Sequence, residues 1–364
     1  MTVSELTKTI EKLAPLADAE DFDNVGLLVG EPHTQVSGVL VTLDTLEAVV
    51  DEAIDKGCNL IVSFHPIIFG GLKKITGKNY VERTVLKAIR HNICIYATHT
   101  ALDNSLEGVN AKICEVLGLG DTSILIPKKD HLAKLTTYVP KKDMAKVQQA
   151  LFEAGGGNLG HYSECSFTVQ GTGSFKPNEQ AQPVLGTKGK RHLEEEVQLS
   201  LTFEKQLENK LIQALLKSHP YEVVAHEIVH LENRHPFKGL GMVGDLEHPM
   251  PVTEFLSLLK DRMRAKVVRH TVVPYKTVQK IAVLGGSGAF AIHAAKMAGA
   301  DVLVTADIKY HEFLQAEDQL LIADIGHFET EQFTKNLLVD YLKKKIPNFA
   351  IHLSETKTNP IKYF

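Results

Sequence analysis

The sequence predicts an α/β protein in which two similar α/β halves form one core domain, and a smaller domain interrupts that core. Three observations support this prediction. Two distant segments share one strand–helix–strand plan, the middle of the chain follows a different order of elements, and several apolar segments end directly in histidine or a carboxylate. We therefore expect core residues 1–128, an inserted domain at 129–235, and core residues 236–364.

The first observation is the repeated plan. Residues 38–65 and 280–307 each begin with an apolar strand-like run, continue with a helical pattern, and place a glycine before a second apolar run. When Gly57 is aligned with Gly299, Asp307 lies opposite His65. This order is typical of parallel strands joined by a right-handed crossover. We expect two related halves that face each other, although chance similarity between two common units is the alternative.

The second observation concerns the middle of the chain. Residues 131–233 show the order strand, helix, strand, strand, helix, strand. This βαββαβ order predicts an inserted ferredoxin-like domain. Its two central strands are separated by residues 174–192, which are rich in glycine, proline and charge and therefore predict a long hairpin connection.

Composition limits the classes of function. The chain has 364 residues and a formal net charge of -4, so it lacks the basic surface that nucleic-acid binding needs. No apolar run approaches the ~18 residues of a membrane span, and the N-terminal segment has the pattern of an amphipathic helix, not of a signal peptide. The four cysteines form no CxxC pair, which is typical of a reducing compartment. We expect a cytoplasmic protein without membrane contact.

The third observation predicts a metal site. His65 follows the apolar run NLIVSF, His99 and Asp103 follow ICIYAT, and His327 and Glu331 follow LLIADIG. A helix that begins directly after the glycine of the last segment places its histidine and glutamate, four residues apart, on one face. Ligands bind at the carboxyl ends of strands in open α/β sheets. We therefore expect these side chains to meet at one site.

The donor types indicate which metals suit this site. Histidine nitrogen and carboxylate oxygen without cysteine favour zinc, with manganese, iron or nickel also compatible, over calcium or an iron–sulfur cluster. A single histidine is more often a surface or core residue than a ligand, so the prediction depends on the convergence of several strand ends. His99 has a second interpretation, in which it orients a ligand carboxylate through a hydrogen bond. For GGSGAF, a tight turn and an anion-binding loop both remain open.

Five segments in chain order resemble the motifs of the NGG-interacting-factor family, whose bacterial members are described as type 2 GTP cyclohydrolase I homologues. The match spans both halves, and the insertion resembles the PII/CutA-like domain of longer members. The resemblance implies a dinuclear divalent-metal centre and a homohexameric ring with the inserted domains as lids. The matching segments are FDNVGLLVG (22–30), SFHPIIFGGLKKIT (63–76), ATHTALDN (97–104), GGSGAF (285–290) and DIGHFETE (324–331).

Carried over position by position, the resemblance implies that the metal ligands are His65, Asp103, His327 and Glu331. The sequence departs from the family pattern at Phe22, where relatives usually have tryptophan. It also departs at Phe64, where most relatives have a second histidine beside the first. The change at Phe64 removes one ligand, so we expect one or two ions per chain.

Two functions from different classes are compatible with these features. One is a metal-dependent hydrolase, which the resemblance narrows to one of the GTP cyclohydrolase I type 2 kind. The alternative is a non-catalytic metal-binding or sensing ring scaffold, in which the inserted lid domain binds a small effector. Fold and family together do not prove chemistry, so no catalytic residue is assigned and the substrate stays open.

Overall fold

The computed structural model describes residues 1–272 and 276–364, which form a mixed α/β protein with several sheets. The chain divides into two compact units. The core unit comprises Met1–Pro127 and Phe237–Phe364, and the inserted unit comprises Lys128–Pro236. Within the described ranges, no helix is long and apolar enough to cross a membrane.

The core unit begins with ten labelled helices and strands. They are α1 (Val3–Ile10), β1 (Gly26–Val29), β2 (Val39–Thr42), α2 (Glu47–Asp55), β3 (Leu60–Ser63), α3 (Tyr80–Arg90), β4 (Cys94–Ala97), α4 (His99–Asp103), α5 (Val109–Leu117) and β5 (Gly120–Pro127). The inserted unit follows with β6 (Leu132–Pro140), α6 (Met144–Glu153), β7 (Phe167–Phe175), β8 (His192–Glu204), α7 (Glu208–Ser218) and β9 (His226–Leu231).

The chain then returns to the core unit. Its remaining labelled elements are β10 (Gly239–Pro251), α8 (Val252–Arg262), β11 (Arg269–His270), β12 (Thr277–Ser287), α9 (Ile292–Met297), β13 (Val302–Ala306), α10 (Tyr310–Phe313), β14 (Leu321–Asp324), α11 (His327–Glu331), α12 (Thr334–Lys345) and β15 (Ile351–Leu353). Short 3-10 turns lie at Leu16–Asp18, Lys205–Leu207, Ala289–Ala291 and Leu314–Ala316.

The two sheets of the core unit share one plan. The first has the strand order β1-β4-β3-β2-β15, and the second has the order β11-β14-β13-β12-β10-β5. Both sheets contain three consecutive parallel strands, β2-β3-β4 in the first and β12-β13-β14 in the second, and β15 is a fourth parallel strand beside β2. An antiparallel strand, β1 or β11, follows at the edge. Both segments predicted as strand–helix–strand therefore contain parallel strands joined by a helix.

Burial on both faces explains why these strands are almost continuously apolar. Val41 of β2 and Val62 of β3 lie in the largest hydrophobic cluster, together with Val283 and Val304 of the second sheet. Leu40 points to the other face of its strand and joins a separate cluster beneath α2 and α3. The largest cluster thus contains side chains from both sheets, which brings the two halves into one core.

The inserted unit has the chain order β6-α6-β7-β8-α7-β9, and its antiparallel sheet has the order β7-β8-β6-β9. Alternate residues of β6 and β8, such as Leu135 and Leu199, pack with Val147 of α6 and Leu215 of α7. Both helices therefore cover the same face of the sheet. The polar stretch at 174–192 is mainly the connection between β7 and β8, as the sequence predicts.

The segment after β15 is attached to α2 through Glu52. The Glu52 carboxylate accepts hydrogen bonds from the Ser354 hydroxyl at 2.7 Å, the Glu355 amide at 2.8 Å, and the amide and hydroxyl of Thr356 at 3.1 and 2.6 Å. Burial opposes ionisation of Glu52, but these donors outweigh burial and lower its pKa to about 2. The ionised side chain therefore stabilises the folded C-terminal segment.

We predict that Glu52→Gln lowers the free energy of unfolding by roughly 2 kcal/mol at pH 7. Because the folded pKa lies below the unfolded value near 4.5, this stabilisation is complete above that value and is lost as the pH falls towards 2. The difference between the two proteins should therefore shrink by about 1 kcal/mol at pH 4, measured by urea denaturation. Glu115→Gln, which removes an exposed carboxylate paired with Lys112, is the control; an equal pH effect there would contradict the assignment.

Candidate metal centre

The parallel strands of both sheets deliver the candidate ligands at their carboxyl ends. His65 lies two residues after β3, and the short helix α4 begins two residues after β4. In the second sheet, α11 begins three residues after β14, directly after Gly326. The predicted start of this helix is therefore confirmed. Because α11 begins at His327 and ends at Glu331, these two side chains lie on one face.

Three of the predicted residues meet directly. The Nε2 atom of His65 lies 3.0 Å from Oε2 of Glu331, and Nε2 of His327 lies 3.1 Å from the same oxygen. The donor atoms of these three residues all lie within 4.8 Å of one another. The Glu331 side chain is almost completely buried. The first and second halves of the core unit thus share one cluster of nitrogen and oxygen atoms.

The fourth predicted residue, Asp103, lies beside this cluster. Its Oδ1 atom is buried and has no hydrogen-bond partner among the described residues. Burial raises the pKa of Asp103 well above its ordinary value, and the nearby charge of Glu331 raises it further, while His65 and His327 act in the opposite direction. Asp103 is not one of the residues whose donor atoms lie within 4.8 Å of one another.

Two aspartates fix the orientation of the histidine rings. Nδ1 of His65 lies 2.8 Å from Oδ1 of Asp44, and Nδ1 of His327 lies 2.7 Å from Oδ2 of Asp307. A carboxylate accepts hydrogen bonds, so each Nδ1 carries a proton, and each Nε2 has a free lone pair whenever its ring is neutral. In the neutral rings, two nitrogen lone pairs face the Glu331 oxygen. Three electron-rich atoms in this space attract a cation.

Each aspartate is itself held by a hydroxyl group. Thr358 Oγ1 donates to Asp44 at 2.6 Å, and the Ser287 hydroxyl donates to Asp307. These bonds restrict the carboxylate rotamers, which in turn restrict the imidazole rings. Outer hydrogen bonds of this kind commonly orient metal-binding histidines.

His99 belongs to a third pair of the same type. Its Nδ1 lies 2.8 Å from Oδ1 of Asp23, and the amide and hydroxyl of Thr100 donate to Oδ2 of Asp23. Burial opposes ionisation of Asp23, but these hydrogen bonds lower its pKa to about 2. The His99 ring lies 5.5 Å from the His65 ring. Asp23 therefore fixes the orientation of the His99 ring, and Asp23 is not one of the predicted ligands.

The charges of the cluster shift its pKa values strongly. Burial disfavours the protonated imidazoles, but contacts with Asp44 and Glu331 raise the pKa of His65 to about 10. For His327, burial acts in the same direction, and Glu331 and Asp307 raise the pKa to about 9. Burial would raise the pKa of Glu331, yet the two histidines lower it to about 2. The Glu331 carboxylate thus favours positive charge at the two Nε2 atoms, which either protons or a bound cation would supply.

Sequence reasoning did not identify Asp44 or Asp23 as site residues. Asp44 follows β2 by two residues, so a search for every carboxylate after a predicted strand would have found it. Asp23 lies in the segment FDNVGLLVG, three residues before β1 begins, and has no comparable signal of its own. Asp307 aligned with His65 in the sequence, and the structure places it against His327.

The two departures from the family pattern have different environments. Phe64 is fully buried in the core, with its ring 4.9 Å from the His65 ring and 5.6 Å from the His99 ring. Phe22 is largely exposed, and its ring lies 6.4 Å from that of Phe69. Phe64 is therefore an apolar neighbour of the cluster.

Gly286 allows the end of β12 to approach the cluster. Its φ is +70°, and a Cβ atom there would lie 2.5 Å from Oε1 of Glu331 and 3.3 Å from Cε1 of His327. At Gly288 a Cβ atom would lie 1.9 Å from the Thr305 hydroxyl. The glycines of GGSGAF are thus needed for close packing, which favours the tight-turn interpretation of this motif.

We predict that Gly286→Ala destabilises the fold by about 1 kcal/mol through backbone strain and by roughly 1–3 kcal/mol more through collision with Glu331. Gly57→Ala is the matched control, because Gly57 has φ +66° and open space around its Cβ position. Denaturant titration of both variants gives the two free energies of unfolding. Equal losses would show that Glu331 moves aside without cost.

Comparisons with known proteins agree with this architecture. A family model described as Duf34/NIF3 (NGG1p interacting factor 3) matches residues 1–360. A Bacillus subtilis protein named GTP cyclohydrolase 1 type 2 homolog is 40% identical over 368 residues, covering 99% of this chain and 98% of the relative. Two solved structures cover 100% of this chain and 99% of their own: a Bacillus cereus protein related to NIF3 (TM-score 0.85, 35% identity) and a Staphylococcus aureus protein (TM-score 0.81, 29% identity). The chain therefore belongs to the Duf34/NIF3 family.

Proposed function

We propose that this protein binds a divalent metal through His65, Asp103, His327 and Glu331 and uses it in a hydrolytic reaction. One observation supports this proposal most strongly. The Nε2 atoms of His65 and His327 lie 3.0 and 3.1 Å from the same Glu331 oxygen, while both Nδ1 atoms are engaged by aspartates. The lone pairs of these three atoms would repel one another, and a cation among them would attract all three.

Two buried oxygens support the proposal that these residues bind a metal ion. Within the described part of the chain, Oε2 of Glu331 makes no aligned hydrogen bond despite its short contacts with the imidazoles, and Oδ1 of Asp103 has no hydrogen-bond partner. Burying a carboxylate oxygen without a partner is costly. Coordination would satisfy both oxygens, and this donor set suits zinc best, with manganese, iron and nickel also compatible.

The surrounding residues would support such a centre. Asp44 and Asp307 keep the protons of the two ligand histidines on Nδ1, so that Nε2 is ready to coordinate. A bound divalent ion supplies Lewis-acid chemistry. His99, held at Nδ1 by Asp23, is the neighbouring imidazole that can move a proton at Nε2. This combination supports the proposal of hydrolysis of a polarised bond.

The relatives' name suggests a purine nucleotide as the first substrate to test. Purified protein of known metal content should be incubated with GTP and with a panel of phosphoesters, and products should be followed by chromatography. Asp103→Ala is the control. Metal-dependent turnover that disappears in this variant supports the hydrolase, and absence of turnover from fully loaded protein contradicts it.

The inserted unit favours a second candidate function. We propose that it is a ferredoxin-like domain of the PII/CutA kind, because its antiparallel sheet has the order β7-β8-β6-β9 with both helices on one face. A cavity of about 610 Å³ in this unit is lined by Val169, Phe175, Glu196 and Tyr221 among others. Its size suits a small effector. A metal-binding sensor with an effector site is thus the alternative to an enzyme, and the family resemblance supports a homohexameric ring for either function.

We predict that His65→Ala and His327→Ala each lower metal affinity by at least about tenfold, worth ~1.4 kcal/mol. Because both rings contact Glu331, the double variant should lose much less than the sum of the two effects. Competition titrations with a chelator measure these affinities. His293→Ala removes an exposed histidine of α9 and is the control. Additive losses would place the two histidines at separate ions.

We predict that the natural protein holds fewer than two tightly bound ions per chain and that Phe64→His raises this number. The reason is that Phe64 occupies the position of a family ligand and its ring lies beside both the His65 and the His99 ring. Elemental analysis at matched protein concentration measures the stoichiometry, with Phe64→Leu as the apolar control. Two full equivalents in the natural protein would show that another group replaces the missing imidazole.

A further inference from the structure

A cleft of about 500 Å³ lies beside the candidate metal centre in the core unit. His65 and His327 form part of its lining, so a molecule in the cleft would reach the centre. Val267 and Arg269 form another part, and residues 359–361 near the C-terminus also contribute. Such a cleft has the size of a small-molecule site.

Arg269 is held in one orientation within this lining. Its Nη2 atom donates to the backbone oxygen of Ile308 at 2.9 Å and to the carboxylate of Asp324. The guanidinium also lies over the ring of Phe313, 5.3 Å from its centroid. These contacts remove much of the freedom that an exposed arginine would otherwise lose on binding a ligand.

The other donors of Arg269 remain available. Within residues 1–272 and 276–364, its Nε and Nη1 atoms have no hydrogen-bond partner, and the side chain is 55% exposed. The charge of Asp324 is shared, because the backbone amides of Ile308 and Gly326 also donate to it at 2.9 and 3.1 Å. The exposed side of the guanidinium therefore keeps positive charge that the protein does not fully neutralise.

Three further charged groups of the cleft are engaged with other side chains of its lining. Asp44 and Asp307 hold the ligand histidines, and Glu329 accepts a hydrogen bond from Asn359. Among the described residues that line the cleft, Arg269 is the only lysine or arginine. Charge-assisted hydrogen bonds from a fixed guanidinium are strong and suit phosphate and carboxylate oxygens.

We propose that Arg269 binds an anionic group, a phosphate or a carboxylate, of a substrate whose reacting bond lies at the candidate metal centre. This inference rests on the proposed function, and it makes Arg269 a specificity-determining residue. Val267 and Ile361, which are 46% and 56% exposed, line the same cleft. They suit an apolar or planar body between the anionic group and the reacting bond.

Binding measurements on metal-stripped protein test this inference without interference from the metal. Phenyl phosphate, benzoate and neutral phenol are titrated by calorimetry. We expect at least one anion to bind about tenfold or more tightly than phenol, and Arg269→Gln to remove that preference. Tighter binding of phenyl phosphate identifies a phosphate site, and tighter binding of benzoate identifies a carboxylate site. Equal affinity for all three compounds would overturn the proposal.

Two further variants keep the test decisive. Arg264→Gln removes an arginine that stacks on Phe333 and does not line the cleft, so it should leave anion binding unchanged. If Arg269→Gln does not fold, Val267→Glu places a negative charge in the cleft at a half-exposed position. We expect a loss of about tenfold in anion affinity there, and unchanged affinity would contradict the proposal.

Metal content, measured separately on every variant, distinguishes failure of the Arg269 anion site from failure of the proposed metal function. If metal binding is normal but anion affinity does not depend on Arg269, this inference alone is contradicted. Arg269-dependent anion binding by a protein that takes up no metal removes the proposed metal function and leaves the anion site.

Discussion

The contact between two imidazoles and the Glu331 carboxylate is the constraint on which the core unit depends. His65 comes from the first sheet, and His327 and Glu331 come from the second. Three acceptor atoms within this distance would repel one another without a proton or a metal ion among them. Positive charge at this point therefore favours the close approach of the two sets of strand ends, which links the packing of the halves to the chemistry of the site.

The two halves use the same elements to place a histidine and a carboxylate at the end of a strand. In each sheet, the third of the parallel strands leads to a five-residue helix that begins with histidine and ends with a carboxylate: His99 to Asp103 in the first, His327 to Glu331 in the second. The two histidines have different roles. His327 faces Glu331, whereas His99 is held by Asp23 at a greater distance from the cluster. A repeated fold has thus produced a centre with unequal sides.

Sequence alone predicted the parts of this fold that have a periodic signal. Buried parallel strands are apolar along their whole length, so a histidine directly after one, such as His65, stands out. The four-residue spacing of His327 and Glu331 can also be recognised in the sequence, because it places both side chains on one helical face. Asp44, by contrast, is a single aspartate in a loop, and its role depends on Thr358, more than 300 residues away. No local pattern encodes such a contact, and the segment after β15 has no regular structure that would predict where it lies.

That segment gives the last residues of the chain an influence over the site. Glu52 fixes Ser354 to Thr356, and the next part of the segment brings the Thr358 hydroxyl to Asp44, which orients the His65 ring. Residues 359–361 then form part of the cleft. Truncation of the C-terminus, or an affinity tag fused to it, would therefore disturb the centre from outside.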